Sequence, residues 1–157
     1  MTADTESDPR QATIDVINRF CHALDARDWD MLRSSLTEDV VLRNRMVTKG
    51  VPGPATSETK GRDAALAMIQ GLWAVLSATY HMNSNHVIKP AADGKSATGT
   101  CALRAYHAGT GAKAHLFEES LARVDFETVK KGSGWALRLW DEAIYIMLGT
   151  PEVFSGR

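Results

Sequence analysis

Apolar residues recur at Ile14, Ile17, Cys21 and Leu24, flanked by Val16 and Phe20, a spacing that predicts an amphipathic helix. Its start is signalled upstream. Asp8 can cap, Pro9 suits the first helical position and Gln11 can complete a capping box. A second, short helix is expected from Asp28, with Trp29, Leu32 and Leu36 on its inner face, and Val40-Val41-Leu42 reads as a short strand. Residues 44–60 hold Gly50, Pro52, Gly53 and Pro54 and show no period. They read as a loop of lid-like length, because connections beyond about 12–15 residues are uncommon unless functional or disordered. A third helix follows over 62–76, turning Ala65, Met68, Ile69, Leu72, Trp73 and Leu76 inward.

The second half changes period. Residues 79–89 are strand-like and stop at Pro90, with an Asp93-Gly94 turn beyond. Residues 96–107 alternate, with Ala97, Gly99, Cys101, Leu103, Ala105 and His107 on one face. A strand over 115–129 and a last one over 135–147 flank the Gly-rich turn at 132–134. Three helices with one short strand, then a four-stranded antiparallel meander, predict an α+β fold with helices packed on one face of a curved sheet. Such a sheet wraps the long first helix into a cone with an apolar interior. The expected boundaries are a disordered polar tail over 1–8, one domain over 9–150 and a C-terminal tail over 151–157.

Composition agrees with one globular domain. The chain has 157 residues, 44% hydrophobic and 24% charged, which excludes a disordered or fibrous chain. The net charge of −1 and the lack of a basic run argue against bulk electrostatic binding of nucleic acid. No apolar stretch approaches the roughly 20 residues of a membrane span. The polar, acidic first eight residues are unlike a signal peptide, and two cysteines cannot form a framework. A soluble, cytoplasmic protein without nucleic-acid or membrane partners is expected.

Few residues could carry chemistry. Asp25 shares a helix face with Cys21 and Ile14, where a carboxylate is desolvated unless hydrogen-bonded; alternatively it only ends the helix. His107 falls in the apolar phase of its strand, as a reactive group or as a satisfied core histidine. His81 is in phase with Asn83, Asn85 and Val87, opposite Tyr80, Met82, His86 and Ile88, and the alternation does not say which face is buried. His22 and His115 read as surface residues. Zinc, dinucleotide, Walker and nucleophile-elbow signatures are absent, so no metal or cofactor is expected. One carboxylate and two histidines suffice for general acid–base work. They also have the composition of a 2-His-1-carboxylate iron site.

The stretch from Ala23 to Leu32 resembles the end of the first helix in SnoaL-like proteins of the nuclear transport factor 2-like superfamily. Lys60-Gly61-Arg62-Asp63-Ala64 resembles that family's entry to the third helix. Thr79-Tyr80-His81 and Leu103-Arg104-Ala105-Tyr106-His107 resemble the two histidine-bearing strands of its scytalone dehydratase branch, and Trp135-Ala136-Leu137 fits the start of the last strand. The resemblance spans residues 10–147 and implies the α+β cone, a homodimer and a small hydrophobic cyclic ligand inside the cone. It implies Asp25, His81 and His107 as the catalytic set. The ligand-binding set expected around them is Phe20, Leu24, Trp29, Asn44, Ala105 and Ser120, with Ser120 standing where the branch has a pocket asparagine. Two branch tyrosines are replaced, one by Leu24 and one within Leu42-Arg43-Asn44, so scytalone itself is not the expected substrate. The expected function is a cofactor-free lyase or isomerase, dehydratase-like, acting on a small cyclic carbonyl compound. The alternatives are a non-catalytic binder of hydrophobic ligands and the iron site.

Overall fold

In the computed structural model the described residues are 8–155. All of the expected polar tail except Asp8 lies outside them. Helix α1 (Pro9–Ala26) starts as expected, with the Asp8 carboxylate accepting from the Arg10 amide at 3.0 Å and Pro9 in the first turn. Gln11 does not complete a capping box; its amide donates to Asp15, one turn on. Arg27 ends α1 in the left-handed conformation, and Asp28 caps α2 (Trp29–Ser35) by accepting from the Met31 amide.

The expected lid-like loop is a β-hairpin. Strand β1 (Leu36–Thr48) pairs antiparallel with β2 (Val51–Lys60) through Lys49-Gly50, both at positive φ. Strand β2 is the sheet's edge, where Pro52 and Pro54 lose no ladder hydrogen bond and nearly every residue is exposed. Helix α3 (Arg62–Trp73) follows, shorter than expected, and its Trp73 indole donates to the Leu24 carbonyl at the end of α1.

Strands β3 (Leu76–Pro90), β4 (Ser96–Gly109), β5 (Phe117–Lys131) and β6 (Gly134–Gly149) form the expected antiparallel meander. The sheet is nevertheless six-stranded and mixed, in the order β2-β1-β6-β5-β4-β3, because β1 pairs parallel with β6. The helices lie on its concave face around a core that includes Ile17, Leu32, Leu36, Val124, Phe126 and Leu137. The segment expected as a C-terminal tail includes a 3-10 turn, Pro151–Phe154, whose Val153 is fully buried. Cys21 and Cys101 are buried free thiols. Among the described residues no helix is long and apolar enough to cross a membrane.

A bulge in β3 decides which of its residues reach the core. The register with β4 shifts between Ser84 and Val87, and Asn85 sits at φ 54°. His81 and Asn83 face inward before it. After it the phase inverts, so Ile88, which the alternation groups with the exposed Tyr80 and Met82, is buried, while Val87 is exposed.

Candidate active site

Asp25 lies in the last turn of α1, against β3. Its Oδ1 accepts from the Thr79 hydroxyl at 2.9 Å and sits 2.6 Å from His81 Nδ1, while its Oδ2 accepts from the His81 amide at 2.8 Å. Burial pushes the carboxyl up, but the bonds from the His81 ring, the His81 amide and Thr79 outweigh it and hold it below the usual carboxylate range. A carboxylate at Nδ1 fixes the tautomer, leaving Nε2 as the working nitrogen.

His107, on β4, has a matching arrangement. Its Nδ1 is 2.7 Å from Oε2 of Glu118, the residue opposite it on β5, and the Ser120 hydroxyl donates to the other Glu118 oxygen. The two imidazoles meet edge to face with centroids 5.4 Å apart. Trp73 stacks on His81 at 5.9 Å and meets His107 edge-on, and Phe154 closes on His107 at 4.9 Å. Among the described residues neither Nε2 has a protein partner, and neither is a buried orphan, so both are open to the space in front of them.

That space is a cavity of about 440 Å³ between α1, α3 and the concave sheet, large enough for a bicyclic ligand. Of the expected ligand-binding residues, Phe20, Leu24, Asn44, Ala105 and Ser120 line it, although the Ser120 hydroxyl is engaged by Glu118. Trp29 does not; at the start of α2 it packs against the core outside the cavity. Asp25 stands behind His81 rather than in the lining. Met46, Thr56 and Thr59 of the β1–β2 hairpin and Met147, Pro151 and Phe154 of the C-terminal segment form part of the wall.

Two acidic residues went unremarked in the sequence. Glu118 and Glu142 both line the cavity. Each falls in the inward phase of its strand, Glu118 with Ser120 and Ala122, Glu142 with Trp140 and Ile144. An acidic residue in an apolar phase was the available signal. Among the described residues no three His, Cys, Asp or Glu side chains are arranged to hold a metal ion. The Asp25 carboxylate is turned to Nδ1 of His81 instead of converging with both imidazoles on one point.

The family model described as a SnoaL-like domain matches residues 5–141. Among curated proteins none matches the sequence. A scytalone dehydratase candidate from Novosphingobium aromaticivorans has a similar structure, with 18% identity, TM-score 0.76, and coverage of 90% of this chain and 87% of that one. The hexachlorocyclohexane dehydrochlorinase LinA-type3 from Novosphingobium barchaimii superposes with TM-score 0.70 at 13% identity, covering 94% of each chain. A cystatin-like protein of unknown function from Nostoc punctiforme gives 0.65 at 16% identity, covering 86% of this chain and 90% of that one. These similarities establish the fold.

Proposed function

The chain belongs to the SnoaL-like domain family, and from that premise we propose a cofactor-free lyase or isomerase acting on a small cyclic carbonyl compound by histidine–carboxylate proton transfer. The observation carrying this reading is the 2.6 Å bond between Asp25 and His81 Nδ1, with Nε2 open to an apolar cavity. His81 Nε2 removes a proton from the carbon beside the carbonyl, and Asp25 stabilises the imidazolium that forms. In a dehydration, the released electron pair forms the carbon–carbon double bond as the β-hydroxyl leaves. His107, oriented by Glu118 at its Nδ1, supplies the proton that makes it water. In an isomerisation, the proton returns to a different carbon. Trp73, Phe154 and the hairpin wall keep bulk water from the pair.

The reading includes a homodimer formed through the outer face of the sheet, supported by exposed Tyr80, Met82, Val87, Tyr106 and Phe117. It also includes a cytoplasmic location, in keeping with two unpaired thiols. The test follows conversion of a cyclic β-hydroxyketone to its conjugated enone alongside hydrogen exchange at the carbon next to the carbonyl. His81→Gln is expected to lose both by about 10²–10⁴-fold, and His107→Gln to lose elimination while keeping exchange. Ligand binding without either reaction would favour a non-catalytic binder.

A further inference from the structure

Asp25 and Glu118 each hold a histidine; Glu142 holds none. It sits on β6 opposite Asn44 of β1 and Val124 of β5, in phase with Trp140 and Ile144, and its side chain lines the cavity. Among the described residues no cation pairs with it. The nearby Arg43 and Arg45 of β1 are taken up by Asp141 and Glu58. The other titratable groups around it are Cys21 of α1, Cys101 and His107 of β4 and Glu118 of β5, with His81 of β3 on the same cavity. Both thiols are pushed up to about 12 by burial and carry no charge near neutral pH. Burial pushes the Glu142 carboxyl up to about 7; the Trp140 hydrogen bond and His107 oppose this, and Glu118 adds to it.

We infer that Glu142 meets the ligand as a carboxylic acid, donating a hydrogen bond to an uncharged acceptor oxygen such as a ring carbonyl, and so selects neutral ketones over carboxylates of the same size. The inference rests on the reading of the cavity as the ligand site and names what that site accepts. A carboxyl without an ion-pair partner in an apolar wall remains a donor. An anionic ligand would meet the Glu118 and Glu142 carboxyls, while Arg43 on the same wall is already paired with Asp141 and Glu58. An enolate formed by His81 would find the Glu142 proton already aimed at its oxygen.

Calorimetric binding of 1-tetralone, 1-naphthoate and 1-aminotetralin to the full chain tests this. The ketone is expected to bind at least about tenfold tighter at about pH 5.5 than at about pH 8.5, as the donor is lost above its titration. The decisive comparison is with variants. Glu142→Gln keeps a donor and should hold the acid-side affinity within about threefold while losing most of the pH dependence. Glu142→Leu should bind about tenfold more weakly at acid pH. Naphthoate should bind about tenfold more weakly than the ketone at neutral pH. Ketone affinity indifferent to both variants would overturn the inference alone. So would an amine that binds best and tightens as pH rises through neutrality, since that marks an ionised Glu142. Failure of all three probes to bind the wild type would overturn the ligand-site reading and this inference with it.

Discussion

Asp25 accepts three hydrogen bonds from β3, whereas Glu142 has one indole donor and, among the described residues, no ion-pair partner. The two carboxyls therefore contribute to stability with opposite signs. Asp25 lies below its ordinary 3.8, so its contribution is complete above the unfolded value and is lost as pH falls through the folded one. Asp25→Asn should flatten the acid limb of stability against pH, read by thermal melting. Glu142, raised from 4.5 to about 7, binds its proton more tightly in the native state than in the unfolded chain. Stability should thus fall by about 3 kcal/mol as pH rises from about 4.5 to 7. Glu142→Gln should remove that slope and melt above the wild type at pH 8; coincident melting curves for both proteins from pH 5 to 8 would contradict the assignment. His107 was legible because a polar residue in an apolar phase stands out. Glu118 and Glu142 pass the same test, but a strand's acidic residues read by default as its solvent face. No local pattern pairs His107 with Glu118; the β4–β5 register does that.

Helical elements were legible from their period and caps, and the β4, β5 and β6 alternation from burial of one face. The β1–β2 hairpin was not. Its second strand is an exposed edge with two prolines and no buried face to impose alternation. The parallel β1–β6 pairing joins the first strand to the last, and such long-range pairing leaves no local trace. The β3 bulge was hidden because one inserted residue inverts every later side chain. Asn85 adopts φ 54°, which Asn and Gly tolerate and β-branched residues do not. Asn85→Gly should change stability by less than about 0.5 kcal/mol, and Asn85→Val should cost about 1–3 kcal/mol in urea unfolding. Equal stability of the two variants would mean that the bulge does not fix the phase that buries Ile88.

At the scale of the molecule, the concave face of the sheet is filled by helices and cavity, and the outer face is left with exposed aromatic residues. Tyr106 and Phe117 stack there at 5.6 Å, near Tyr80 and Met82. Covering such a patch with a second copy is the simplest way to remove it from water. Sedimentation at micromolar concentration should show a dimer, and Tyr106→Glu should yield a folded monomer; a wild-type monomer at that concentration would end the proposal.

The central claim is that the cone encloses a proton-transfer site built on His81 and Asp25. Deuterium incorporation from solvent at the carbon beside the carbonyl of 1-tetralone, followed by NMR, tests it most directly. The wild type should exchange that position well above the buffer rate. Asp25→Asn should lose exchange by about 10²–10⁴-fold, with ketone affinity nearly unchanged. Exchange by Asp25→Asn at the wild-type rate would make the pair structural and contradict the account.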